Sequence, residues 1–111
     1  MGMFVKGQVV KLLFPFSDFS AGKPRPALII LTPPGNDIIV CMITKQPKTD
    51  GYCISLKNTD FIYGGLPLTE SFIRFNRIWT HESSRIIEGK GKIKPDKLNE
   101  VIDGIVNHLR A

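Results

Sequence analysis

The chain has 111 residues, 42% hydrophobic and 23% charged, with 10 Gly and 8 Pro. That length fits one domain, able to bury roughly 60–70% of the surface its unfolded form exposes, and it excludes a two-domain protein or a repeat array. Fifteen Lys and Arg against 10 Asp and Glu leave a net charge of +5, a balance that suits a polyanionic partner.

The apolar stretches, Leu12–Leu13–Phe14–Pro15–Phe16 and Ala27 to Leu31, fall far short of the ~20 residues of a membrane span. The start of the chain has no basic segment followed by an apolar run, so no signal peptide is expected. Lys6 stands where a myristoylation signal wants Ser or Thr. Cys41 and Cys53 lie in strand-like runs and read as buried thiols rather than a disulfide. The expectation is a soluble protein of the cytoplasm, with no membrane association.

In chain order, the first predicted strand is Gln8–Leu13. Ala27–Leu31 and Ile38–Thr44 follow, apolar on both faces and therefore expected to be covered on both sides. Tyr52–Leu56 alternates with period two; Ser71–Phe75, Arg77–Thr80 and Arg85–Ile87 are further strands. Pro33–Asp37, Asp50–Gly51 and Gly64–Gly65 are turn signals, because Gly supplies positive φ and Pro fixes φ. Short strands at this spacing predict a small antiparallel barrel or sandwich. The final segment changes period. Leu98, Val101, Ile102, Ile105, Val106 and Leu109 recur at helical spacing, behind Pro95 and Asp96 and ahead of His108 and Arg110. This is an amphipathic helix of about four turns, charged to match its dipole and expected to cover one face of the sheet.

His81 and His108 stand apart from each other and from the cysteines, so no metal motif is present in the sequence. Nor is there a phosphate-cradling glycine loop or a nucleophile elbow. Any chemistry must then rest on cations and hydroxyls acting on an anion. Gly22–Lys23–Pro24–Arg25–Pro26 presents Arg25 between two prolines, which fix the chain before it and hold it out of helical conformation. A planar guanidinium so placed suits phosphate, although a turn arginine or a carboxylate partner would look the same. Thr44 ends an apolar strand beside Lys45, a hydroxyl and a cation able to meet a phosphate. Arg74 and Asn76 share strand parity, with Arg77 next to them. Ser17 and Asp18 sit in a Phe-rich loop before the Arg25 turn, where Asp18 offers a base, an arginine partner or a turn cap.

The ordered set Gly7–Val10, Phe14–Asp18, Lys23–Ile30, Val40–Thr44, Gly65–Leu66, Ser71–Arg74 and Gly91–Ile93 resembles the PemK/MazF toxin family, and its PemK-like branch most. The resemblance covers nearly the whole chain. It implies a mainly β, small SH3-like barrel of the PemK/MazF/CcdB kind with helices, assembled as a homodimer. It further implies a metal-independent, cofactor-free endoribonuclease that cuts single-stranded RNA at short sequences, as the toxin of a type II toxin–antitoxin pair restrained by a cognate antitoxin. On that pattern Arg25, Thr44 and Arg74 are catalytic, and Ser17, Asp18, Lys23, Lys45, Asn76 and Arg77 contact RNA. The sequence departs from the pattern at Asn76, where some members carry Asp, and in lacking a histidine ahead of the Arg-Pro turn. The deprotonating group is therefore unassigned, with Asp18 one candidate. Asn76 also keeps open a non-catalytic module that binds RNA or a protein partner. A gyrase-binding toxin is a third reading, because a related barrel toxin does that.

Overall fold

The computed structural model describes residues 4–13, 24–47 and 49–111. Among these residues are seven strands: β1 Gln8–Leu13, β2 Pro24–Leu31, β3 Asp37–Thr44, β4 Cys53–Lys57, β5 Phe61–Gly64, β6 Glu70–Glu82 and β7 Ile86–Ile93. One helix, α1 Pro95–Arg110, ends the chain. The strands form one curled sheet in the order β4-β6-β3-β2-β1-β7-β5, each neighbouring pair antiparallel. The expected small β-barrel with a C-terminal helix is thus realised as an open half-barrel. Among the described residues no helix is long and apolar enough to cross a membrane.

The two unbroken apolar runs became β2 and β3, at the middle of the sheet. Strands there have neighbours on both edges, and here they are covered on both faces as well. One face carries Val9, Leu28, Cys41, Ile43, Leu56, Ile73, Phe75 and Ile93, packed with Val101 of the helix. The other carries Val10, Leu12, Ala27, Ile29, Ile38 and Val40, flanked by Phe4, Trp79 and Ile86. This is the two-sided burial that continuous hydrophobicity predicts.

The helix seats on the first of these faces through Leu98, Val101 and Ile105. Val101 is wholly buried, which contributes roughly 1.5–3 kcal/mol. Gly104 lies under the ring of Phe75, and an added Cβ would stand 3.3 Å from three ring atoms. Even an alanine there would need the Phe75 ring or the helix to give by a few tenths of an ångström. The helix starts without a side-chain cap; Pro95 occupies its first turn, and the Lys94 N–H donates to the Asp60 carbonyl at 2.8 Å.

Three strand expectations were off, each for a local reason. Residues 24–26 read as a turn but open β2. Ser71–Phe75 and Arg77–Thr80 are one strand, β6, interrupted by a bulge: Met42 pairs with Arg74, yet Cys41 pairs with Ile78. β5 escaped notice because only Phe61 of its four residues is buried, so it has no alternating pattern to detect.

Candidate functional site

Pro24 and Pro26 shape the site by what they lack. Neither has an N–H to donate; both keep their register with Lys11 and Leu13 of β1, but neither carries a ladder on toward β3. The pairing of β2 with β3 stops at Ala27 and Met42. Just beyond that point a cleft of about 410 Å³ opens, lined by Pro24, Arg25 and Pro26 from β2 and by Ile43 and Thr44 from β3. Lys45 and Gln46 extend one wall, and Leu66, Pro67, Leu68 and Ser71 form the other. The volume is in the range of small-ligand sites.

Residues paired across antiparallel strands point to the same face. Continuing the β2–β3 register two residues past Ala27 and Met42 sets Arg25 opposite Thr44 across the mouth of the cleft. Thr44 in turn pairs with Phe72 of β6. Arg25 is half-buried, while Lys45 is exposed at the rim. The Thr44 hydroxyl accepts the Gln46 N–H at 3.3 Å, which turns its oxygen toward the start of the next segment. The sequence thus brings Arg25, Thr44 and Lys45 to one place, at the open end of two consecutive strands.

Arg74 behaves differently. It lies in the next row of the same face, paired with Met42 on one side and Cys53 on the other. It does not line the cleft. Its side chain is 9% exposed, and its Nη2 lies 2.7 Å from Oδ2 of Asp50. Asn76 and Arg77 fall in the β6 bulge, which interrupts the alternation that would align Arg74 with Asn76. Arg77 is exposed, whereas Asn76 is half-buried, its Oδ1 enclosed and accepting no hydrogen bond among the described residues. Ser17, Asp18 and Lys23 lie outside the described residues.

The opposite wall rests on a residue the sequence reading passed over. Asn58 donates to the Leu66 carbonyl at 3.0 Å and accepts the Leu66 N–H at 2.9 Å. One side-chain amide thereby imitates a strand partner and fixes the Leu66–Leu68 wall. Gln46 and Asp50 were also passed over. An Asp-Gly pair reads as a turn, and nothing in the local pattern ties Asp50 to an arginine 24 positions away.

Among the described residues no group of three or more His, Cys, Asp or Glu side chains comes together as a metal site. Cys41 and Cys53 form no disulfide. Burial pushes the Cys41 thiol up to about 12, so Cys41 is no nucleophile at neutral pH.

The fold has close counterparts. An endoribonuclease from mycobacterial species, solved with its cognate antitoxin, superposes with a TM-score of 0.73 at 17% identity, over 96% of this chain and 94% of that one. The Mycobacterium tuberculosis toxin MazF-mt6 gives 0.72 at 15%, covering 93% and 96%. A MazE–MazF structure from Deinococcus radiodurans gives 0.69 at 21%, covering 94% of each chain. At such identities the likeness is one of fold. Comparison with curated proteins found no match. The family described as the PemK-like, MazF-like toxin of type II toxin–antitoxin systems matches residues 6–109, from before β1 almost to the end of α1. With its whole sheet, its cleft and nearly all of its helix inside that match, the chain belongs to the PemK-like, MazF-like toxin family.

Proposed function

We propose that this toxin is a metal-independent endoribonuclease that cuts single-stranded RNA at short preferred sequences and works as a homodimer. The observation that carries the reading is the meeting of Arg25, Thr44 and Lys45 at one cleft, where the β2–β3 ladder ends. Fold neighbours described as endoribonucleases, one of them solved with its cognate antitoxin, support it. A cognate antitoxin that covers the same cleft belongs to the proposal.

RNA carries its own nucleophile. Attack of a ribose 2′-hydroxyl on the adjacent phosphorus forms a new O–P bond, breaks the bond to the 5′-oxygen and leaves a 2′,3′-cyclic phosphate and a free 5′-hydroxyl. Three tasks fall to the protein: removing one proton, protonating the leaving oxygen and stabilising the charge that builds on the phosphoryl oxygens. Arg25 suits the last of these, as a fixed fork of donors, and it can deliver the leaving-group proton. A guanidinium offers no free lone pair to take up a proton, so the base must be another group. Thr44 donates its hydroxyl to the phosphate, Lys45 and Arg77 follow the flanking backbone, and Lys23, two positions before Arg25 in sequence, adds charge. Arg74 stands one row behind, its charge paired with Asp50. The base is unassigned, with Asp18, which precedes β2 in sequence, a candidate.

The test is Arg25→Ala, assayed on mixed-base single-stranded RNA with and without EDTA. Wild-type cleavage indifferent to EDTA is expected. The variant should lose on the order of 10²–10³ in rate, while its melting temperature stays within a few degrees. Equal loss of activity and melting would make Arg25 structural. Binding of RNA without cleavage by the wild type would favour a non-catalytic module, the reading that Asn76 favours.

A further inference from the structure

Arg74 is a buried cation, and a buried cation without a counter-charge is severely destabilising. Its counter-charge is Asp50, at 2.7 Å. Asp50 is itself held: its other oxygen, Oδ1, accepts the Tyr52 N–H at 3.1 Å. Tyr52 in turn is packed from two sides. Its ring meets Phe75 edge-on with centroids 5.7 Å apart, and it meets His108 of the helix at 4.6 Å. The Tyr52 carbonyl accepts the Phe75 N–H at 3.1 Å. The far end of the β3–β4 connection is therefore pinned to the sheet and the helix. Its near end is Thr44–Lys45–Gln46, which lines the cleft.

We propose that Asp50 is a positioning residue: by clamping Arg74 it closes the β3–β4 connection onto the sheet and so fixes Thr44 and Lys45 at the cleft. The inference rests on the ribonuclease reading and deepens it. It gives Arg74 a different task from direct contact with RNA. The guanidinium faces Asp50 from a nearly buried position in the row behind the cleft, and it serves as the anchor of the connection. A misplacement of about 1 Å in groups that bind a reacting phosphate is enough to lose 10²-fold in rate, so a loosened connection must register in turnover.

The experiment uses Asp50→Asn, Asp50→Glu, Arg74→Met and the double variant Asp50→Asn/Arg74→Met in the full chain. Two quantities are read: kcat and KM on single-stranded RNA, and the rate of tryptic cleavage after Lys45 without RNA. Asp50→Asn should lower kcat at least tenfold and speed cutting after Lys45 at least tenfold, because local opening exposes the bond. Asp50→Glu, which still reaches the guanidinium, should restore both to within about threefold. In the Arg74→Met background, Asp50→Asn should add less than threefold, as expected when two residues act as one unit. Unchanged tryptic resistance in Asp50→Asn overturns the clamp. So does an undiminished effect in the Arg74→Met background, which would put Asp50 on the substrate itself. If the wild type cuts no RNA, the ribonuclease reading fails, and the tryptic measurement alone still decides whether Asp50 holds the connection.

Discussion

Arg25 and Cys41 sit on neighbouring central strands, yet the sheet gives them opposite fates. Arg25 lies where β2 has lost its β3 partner while still paired with Leu12 of β1, so its charge reaches a cleft. Cys41 lies three register positions further in, on the opposite face, wholly buried between Leu28 and Ile78 in register. Taking a thiolate out of water is unfavourable, and the thiol is accordingly shifted from 9.0 to about 12. At pH 8 that shift lowers the reactive thiolate fraction about a thousandfold. Native protein treated with iodoacetamide at pH 8 should therefore leave Cys41 unmodified while denatured protein is alkylated at both cysteines, a difference mass spectrometry of the tryptic peptides resolves. Rapid native labelling of Cys41 would show that β3 opens far more readily than its burial implies.

The elements legible in the sequence were those whose burial leaves a pattern. Ile38–Thr44 is apolar at nearly every position because it packs on both faces, and Leu98, Val101 and Ile105 recur at helical spacing because one helix face meets the sheet. Arg25 and Thr44 were legible as candidate site residues from chemistry alone, an arginine between prolines and a hydroxyl ending an apolar run. Asp50 was not, because its role is a contact with Arg74 on another strand, and an Asp-Gly pair says only that the chain turns. The β5–β7 pairing was hidden for a similar reason. Gly64 pairs with Gly91, and both take positive φ. A Cβ on Gly64 would stand 2.1 Å from the Lys90 carbonyl oxygen and 2.6 Å from the Gly91 Cα. Those obstacles are backbone and cannot swing aside. Gly64→Ala should cost on the order of 3 kcal/mol, combining strain at positive φ with the clash. For a domain of this size that is a fall of roughly 10 °C in melting temperature. A scan showing a change under 2 °C would mean that β5 can leave β7 without loss to the fold.

Stability of the whole molecule should carry a pH signature from one side chain. His81 sits on β6 opposite Ile38 and is nearly buried, at 6% exposure. Burial disfavours its charged form, and the positive charge of Arg85 adds to the effect, so His81 is held below its ordinary 6.5. In the unfolded chain it takes up a proton near that ordinary value. Between the two values the unfolded state binds more protons than the folded one, so stability rises with pH across the window. The contribution is complete above about 6.5 and is lost as pH falls through the lowered folded value. One proton limits the slope to about 1.4 kcal/mol per pH unit, and above about pH 5 most carboxylates are ionised in both states and add little. Urea midpoints measured from pH 7.5 down to 5.5 should fall for the wild type, and the fall should flatten in His81→Gln. A wild type with equal midpoints across that range, or a variant that keeps the full slope, would mean that His81 titrates alike in the folded and unfolded chain and that β6 admits water at this position.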